Sequence, residues 1–351
     1  MVRSGTGNWI LRHLILAAAA LTLAAATQKP ALVTALDTSA QSYYNDVVAI
    51  SKLTGRDTAM DYYQRLIEDE DLVGSAAPSD YTESMWDHSV STIVRLDLDV
   101  ANQLVKRSFR PMASIRGLEE TFVQSSKDGT MQPVAVYVPA SYVPGKPAPL
   151  VVFLHGRPQS ESQLLAPQFV GDLAERTGTI VVAPYGRAYY DFIGTESDVY
   201  DAYDAALKAF SIDPRKRYLA GYSMGGFSVF GVAPVHPDDW SAVMCIAGSL
   251  LGSRANRVVS TLSKTPFYVL TGSADDSIPT QYPTATAAFL RDQGLPVTFY
   301  SLPGGKHRLF TLLPILTEAW DDMHHGIVRS PVQLTTGLML PGAQPSTNLK
   351  P

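Results

Sequence analysis

The run Gly221-Tyr222-Ser223-Met224-Gly225-Gly226 sets a hydroxyl between glycines. Strand-like Arg217-Tyr218-Leu219-Ala220 precedes it and helix-compatible Phe227-Ser228-Val229-Phe230 follows. A serine on a sharp strand-to-helix turn sits in strained backbone. Glycines on either side let neighbouring chain pass without Cβ clashes, and the hydroxyl is pushed out at the sheet edge. The helix start also favours negative charge developing there. Such a serine could attack a carbonyl carbon, but a hydroxyl is a weak nucleophile at neutral pH and needs a base.

Seven histidines are present: His13, His88, His155, His236, His307, His324 and His325. His307 ends Pro303-Gly304-Gly305-Lys306-His307, a glycine-rich loop directly after the last expected strand. That position is at the carboxyl end of the sheet, the edge Ser223 shares, so His307 is the expected base. A third group must orient the imidazole and stabilise its charged form. Gly272-Ser273-Ala274-Asp275-Asp276-Ser277-Ile278-Pro279 follows another expected strand and offers Asp275, with Asp276 in reserve. An oxyanion needs at least two backbone donors. The amide of Met224, just after the nucleophile, is one. The amide of Arg157, in the loop His155-Gly156-Arg157, is the other, with His155 bracing that loop. The loop carrying Tyr185, Tyr189, Tyr190 and Phe192 could form an aromatic substrate-binding wall or simply pack between loop and helix; the sequence leaves both open.

These side chains need a scaffold. From about residue 113, short apolar runs at 134–138, 150–154, 179–183, 217–221, 242–247, 267–270 and 297–300 alternate with helical segments such as 198–210 and 283–292. Buried strands alternating with helices predict an α/β domain over residues 113–330: a mostly parallel sheet with helices on both faces. Thr195-Glu196-Ser197-Asp198 has the form of a capping box before the first of those helices. Residues 27–112 differ in texture. Tyr43, Val47, Ile50 and Leu53, then Ala59, Tyr62, Tyr63 and Leu66, then Val90, Ile93, Val94 and Val100 fall at helical spacing, predicting a module of about three helices. Residues 331–351, rich in Pro, Thr, Gly and Ser, read as a loose tail.

With 46% apolar and 17% charged residues, the 351-residue chain can bury a large core. Its formal charge is −5 and no basic tract occurs, which argues against nucleic acid as partner. The single cysteine, Cys245, lies in an apolar run and reads as a core filler. No Cys/His spacing suggests a metal site, and no cofactor is expected. At the N-terminus, Arg3, Arg12 and His13 precede an apolar stretch ending in Ala24-Ala25-Ala26. This is the layout of a secretory signal over residues 1–26, predicting a secreted or periplasmic protein with no membrane span once processed.

Taken together, these motifs resemble the α/β-hydrolase superfamily over about residues 118–326. More narrowly they resemble the secreted feruloyl-esterase, polyhydroxybutyrate-depolymerase and phospholipase/carboxylesterase-like group, which is similar to the catalytic domain of prolyl-oligopeptidase-type peptidases. The carriers are Asp128-Gly129, Phe153-Leu154-His155-Gly156, Pro184-Tyr185-Gly186-Arg187, Asp198-Val199, Ile212-Asp213-Pro214-Arg215 running toward the serine, Gly272 to Pro279, and Gly305-Lys306-His307. The chain order Ser223, Asp275, His307 matches the nucleophile–acid–histidine order of those hydrolases. The resemblance implies a Ser–Asp–His triad on these residues and hydrolysis of small or polymeric carboxylic esters, aryl or short-chain. A peptidase of the prolyl-oligopeptidase type is the alternative, although residues 27–112 are too few and too helical for the propeller such enzymes carry. A non-catalytic binding protein is the remaining class.

Overall fold

The structure, a computed structural model, describes residues 7–187, 192, 194–329 and 340–342, with side chains from Lys29 onward. The expected signal segment lies outside the described side chains, and the expected tail lies outside the described residues apart from 340–342.

Three helices come first: α1 (Gly7–Thr54), α2 (Arg56–Gly74) and α3 (Glu83–Lys106). Their periodic apolar positions meet in one cluster that includes Tyr43, Ile50, Tyr62, Leu66, Val94 and Val100. Phe122 and Tyr185, from the domain that follows, close this cluster, so the helical module packs onto the sheet domain through shared core. α3 starts at Thr82, whose hydroxyl accepts from the Met85 amide at 3.3 Å, and ends at Arg107 in the left-handed region.

Eight strands follow: β1 (Gly117–Gln124), β2 (Met131–Val138), β3 (Ala148–Leu154), β4 (Ile180–Pro184), β5 (Ile212–Tyr222), β6 (Ala242–Ile246), β7 (Phe267–Gly272) and β8 (Val297–Leu302). They form one sheet in the order β1-β2-β4-β3-β5-β6-β7-β8. β2 pairs antiparallel with β1 and β4; every other pairing is parallel. Alternate residues of the central strands point to opposite faces. Val152, Leu219, Val243 and Val269 join a core with α6 (Glu196–Ala209), α7 (Met224–Val232), α8 (Gly252–Thr261) and α9 (Gln281–Asp292). Val151, Phe153, Ala220 and Met244 join the other with α4 (Glu161–Leu165), α5 (Gln168–Thr177) and α10 (Leu313–His325). The protein therefore has the expected α/β architecture, with a mostly parallel sheet covered on both faces and a helical module ahead of it. Cys245 is fully buried in β6, where burial pushes its thiol pKa well up.

Two local features differ from expectation. The strand β1 is absent from the sequence reading, because Glu119-Glu120 interrupts the apolar pattern; in the fold Glu120 is buried beneath the module. Thr195 does stand at the start of α6, but its side chain makes no capping bond and its hydroxyl is buried without a partner. The capping box that does form is at Ser160: its hydroxyl accepts from the Gln163 amide at 3.2 Å, and the Gln163 side chain accepts from the Ser160 amide at 3.1 Å.

α3 also covers the outer edge of β1. Arg95 donates to the Leu118 carbonyl at 2.8 Å, and Gln103 and Arg110 donate to the Glu120 carbonyl at 3.1 and 3.0 Å. Among the described residues no helix is long and apolar enough to cross a membrane.

Candidate active site

β5 ends at Tyr222 and α7 begins at Met224, leaving Ser223 alone on the turn with φ 52° and ψ −114°. A non-glycine residue at such angles is strained and persists only where its surroundings over-determine it. The determinants are visible. Ser223 donates its amide to the Ile246 carbonyl at 2.8 Å, and its own carbonyl accepts from Phe227 at 3.0 Å. A Cβ on Gly221 would meet the Gly225 carbonyl oxygen at 2.1 Å, and one on Gly225 would meet the Leu154 carbonyl oxygen at 2.2 Å. The glycines around the serine are thus required by close backbone approach, and Ser223 remains 9% exposed.

The acid and the histidine arrive on the loops after the last two strands, β7 and β8. A Cβ on Gly272 would meet the Gly305 carbonyl oxygen at 2.1 Å, so the loops after β7 and β8 lie directly on each other. Ala274 donates to the Gly305 carbonyl at 2.9 Å, and Gly304 donates to the Ser273 hydroxyl at 2.8 Å. From this joint His307 places Nε2 2.8 Å from Ser223 Oγ and Nδ1 2.8 Å from Asp275 Oδ2. The Asp275 side chain is wholly buried, and its Oδ1 accepts from the amides of Ser277 and Ile278 at 2.9 and 2.7 Å. Asp276 faces the Ser277 hydroxyl instead, at 3.4 Å. The carboxylate that meets the imidazole is the first of the pair.

Tyr222 also holds the imidazole, a contact the sequence reading did not single out. Its ring stacks on His307 at 5.4 Å, and its hydroxyl donates to the His307 carbonyl at 3.0 Å. Burial first, then the nearby Asp275 charge, push this phenol well above its ordinary pKa and keep it a donor.

The loop after β3 runs beside the serine: a Cβ on Gly156 would lie 3.1 Å from Ser223 Cβ. The His155 carbonyl accepts from the Gly225 amide at 3.0 Å, tying this loop to the start of α7. The Arg157 amide follows in the same loop. Met224, as the first residue of α7, has no carbonyl within the helix for its amide to bond. The His155 side chain is buried, with Nδ1 2.8 Å from the Gly156 carbonyl and Nε2 2.9 Å from the Tyr185 carbonyl.

Tyr185 is not where an aromatic wall would need it. It is 2% exposed, its hydroxyl donates to Asp61 of α2 at 2.9 Å, and its ring sits 5.9 Å from that of Tyr62. Its apolar surface is spent on the helical module. Tyr189 and Tyr190 lie outside the described residues. Among the described residues no cluster of three or more His, Cys, Asp or Glu side chains could hold a metal ion.

Residues 125–273 match the family described as "putative esterase". That segment carries Ser223, Arg157 and Met224 and ends before Asp275 and His307. Among solved structures, a thermostable esterase shares the fold with a TM-score of 0.50 and 19% identity, covering 59% of this chain and 62% of that one. The chain has the α/β-hydrolase fold. A "putative dipeptidyl aminopeptidase IV" from Bacteroides ovatus has a TM-score of 0.51 at 13% identity, covering 59% of this chain and 36% of that one. A bifunctional acetylxylan esterase/xylanase of Neocallimastix patriciarum is 28% identical over 174 residues. The match spans 48% of this chain and 25% of that relative's length.

Proposed function

We propose that this α/β-hydrolase is a secreted serine esterase that cleaves carboxylic esters, aryl or short-chain, through an acyl-enzyme. The observation that carries the reading is the unbroken line from Asp275 through His307 to the strained Ser223, with 2.8 Å at each step. The match of residues 125–273 to an esterase family supports the choice of ester over amide.

In the proposed reaction, His307 Nε2 takes the Ser223 proton as Oγ attacks the ester carbonyl. Asp275 keeps the proton on Nδ1 and stabilises the imidazolium. The amides of Arg157 and Met224 donate hydrogen bonds to the oxyanion of the tetrahedral intermediate. His307 then delivers its proton to the leaving alcohol, and water repeats the sequence to release the acid. Residues 1–26 serve as the export signal in this reading.

Ser223→Ala tests it. Turnover of a chromogenic ester is expected to fall on the order of 10⁶-fold in kcat, with loss of fluorophosphonate labelling. Near-normal turnover in the variant would remove Ser223 from the mechanism. An aminoacyl-prolyl amide assayed alongside is expected to be a much poorer substrate than the ester; the reverse preference would make the protein a peptidase.

A further inference from the structure

A cleft of about 500 Å³ opens beside the serine, between the helical module and the sheet domain. Its sheet-domain wall contains Tyr222, which precedes Ser223; Pro158, which follows Arg157; and Phe310, three residues after His307. The opposite wall belongs entirely to the module: Leu72 from the end of α2, Pro78 and Tyr81 from the connection, and Trp86 and Ile93 from α3. The connection is pinned to the loop that carries the histidine. Asp80 lies 3.8 Å from Lys306 Nζ and 3.6 Å from Arg308 Nε, and the Tyr81 ring lies 4.0 Å from that of Phe310. Trp86 backs Tyr81 at 5.8 Å.

We propose that the module forms the substrate-selecting wall of the active site, with Tyr81 and Trp86 receiving a bulky, ring-bearing group of the ester. The proposal rests on the esterase reading and adds the class of substrate to it. Size argues for the class. A cavity of about 150 Å³ lined by apolar side chains takes up benzene; this cleft is about three times larger, and an acetyl group would leave most of it wet. Chemistry argues the same way. The lining is dominated by aromatic, aliphatic and proline side chains, and its one charged residue, Arg308, is already engaged by Asp80. Aromatic rings prefer such offset and edge contacts with one another. A small charged or sugar-like group would find few polar partners there.

The test uses three methyl- or acetyl-type esters followed by acid release. Methyl acetate carries no ring, methyl 3-phenylpropanoate carries one on the acyl side, and 2-phenylethyl acetate carries one on the alcohol side. The wild-type protein is expected to prefer at least one ring-bearing ester over methyl acetate. Trp86→Ala and Tyr81→Ala should each reduce that preference by about tenfold or more, chiefly through KM, while Trp86→Phe restores most of it. Asp80→Lys, which places a cation beside Lys306 and Arg308, should weaken the preference in the same direction. A wild-type protein indifferent to the ring, or folded alanine variants that keep the preference within about twofold, would overturn the proposal. Should no ester be turned over in a Ser223-dependent way, the esterase reading itself fails. The wall is then read by calorimetric titration of Ser223→Ala with 3-phenylpropanoate and 2-phenylethanol. Binding that disappears on adding Trp86→Ala upholds the wall, and binding that survives refutes it.

Discussion

Asp275 and Asp276 are adjacent in sequence and divergent in the fold. Only the first has its carboxylate buried, shared between two backbone amides and the imidazole. Asp275→Asn keeps the shape but cannot hold the imidazole in the required tautomer, so kcat for ester hydrolysis should drop about 10⁴-fold. Asp276→Asn should stay within a few-fold of wild type; equal losses in the two variants would contradict the assignment. The serine, the histidine loop and the acid loop were legible in the sequence because each follows an apolar strand run, and parallel strands deliver such loops to one edge. The choice between the two aspartates was not legible. It depends on a turn in which Ser277 and Ile278 fold their amides back onto Asp275. Nor could spacing reveal that Tyr185 turns away from the cleft, since its partner Asp61 lies 124 residues earlier.

At the scale of elements, α2 grips α4 through charge rather than apolar contact alone. Arg65 lies 2.8 Å from Glu161 Oε1 and 2.9 Å from Asp61 Oδ2, and Tyr62 donates to the same Glu161. Arg65 is 5% exposed and Glu161 is 0% exposed. Burial would raise the Glu161 pKa, but the adjacent guanidinium outweighs it and holds the carboxylate below its ordinary range. Removing one partner of such a pair strands the other in low dielectric, at a cost of about 3–5 kcal/mol. Arg65→Met should lower the denaturant midpoint accordingly. Arg65→Met combined with Glu161→Leu should recover part of the loss, because Glu161 is then no longer left alone, while Asp61 still lacks its guanidinium partner. A single variant as stable as the wild type would show that the pair does not anchor the module. α2, which supplies Arg65 and Tyr62 to this contact, was legible from its apolar periodicity. α4 was not, being only five residues long; the capping box forms at Ser160 and not at Thr195, although the sequence has the same form there. Four residues of suitable type are not enough; the hydroxyl must also turn toward the N3 amide.

For the molecule as a whole, the ground between module and sheet domain holds more acid than base. Asp69, Asp97 and Glu120 are buried around the same Arg65. Burial, then repulsion from Asp97, raises Asp69 to about 9. Burial raises Asp97 to about 7 against the pull of Arg65. In the unfolded chain both would titrate near 3.9. The folded state therefore retains protons that the unfolded state has released, and this contribution to stability is full below about pH 4 and lost as pH rises through 7 toward 9. Thermal midpoints should fall across that window, and Asp69→Asn or Asp97→Asn should flatten the decline. A midpoint that rises from pH 5 to 9, or a decline unaltered by both variants, would contradict the account.

The same module settles how the molecule meets its neighbours. β1 is one of the sheet's two edge strands, and a bare edge strand invites another chain to pair with it and aggregate. Here Arg95, Gln103 and Arg110 already occupy the Leu118 and Glu120 carbonyls that an incoming strand would need. A sheet domain cut free of residues 27–112 would thus lose more than one side of its cleft: it would acquire a sticky border.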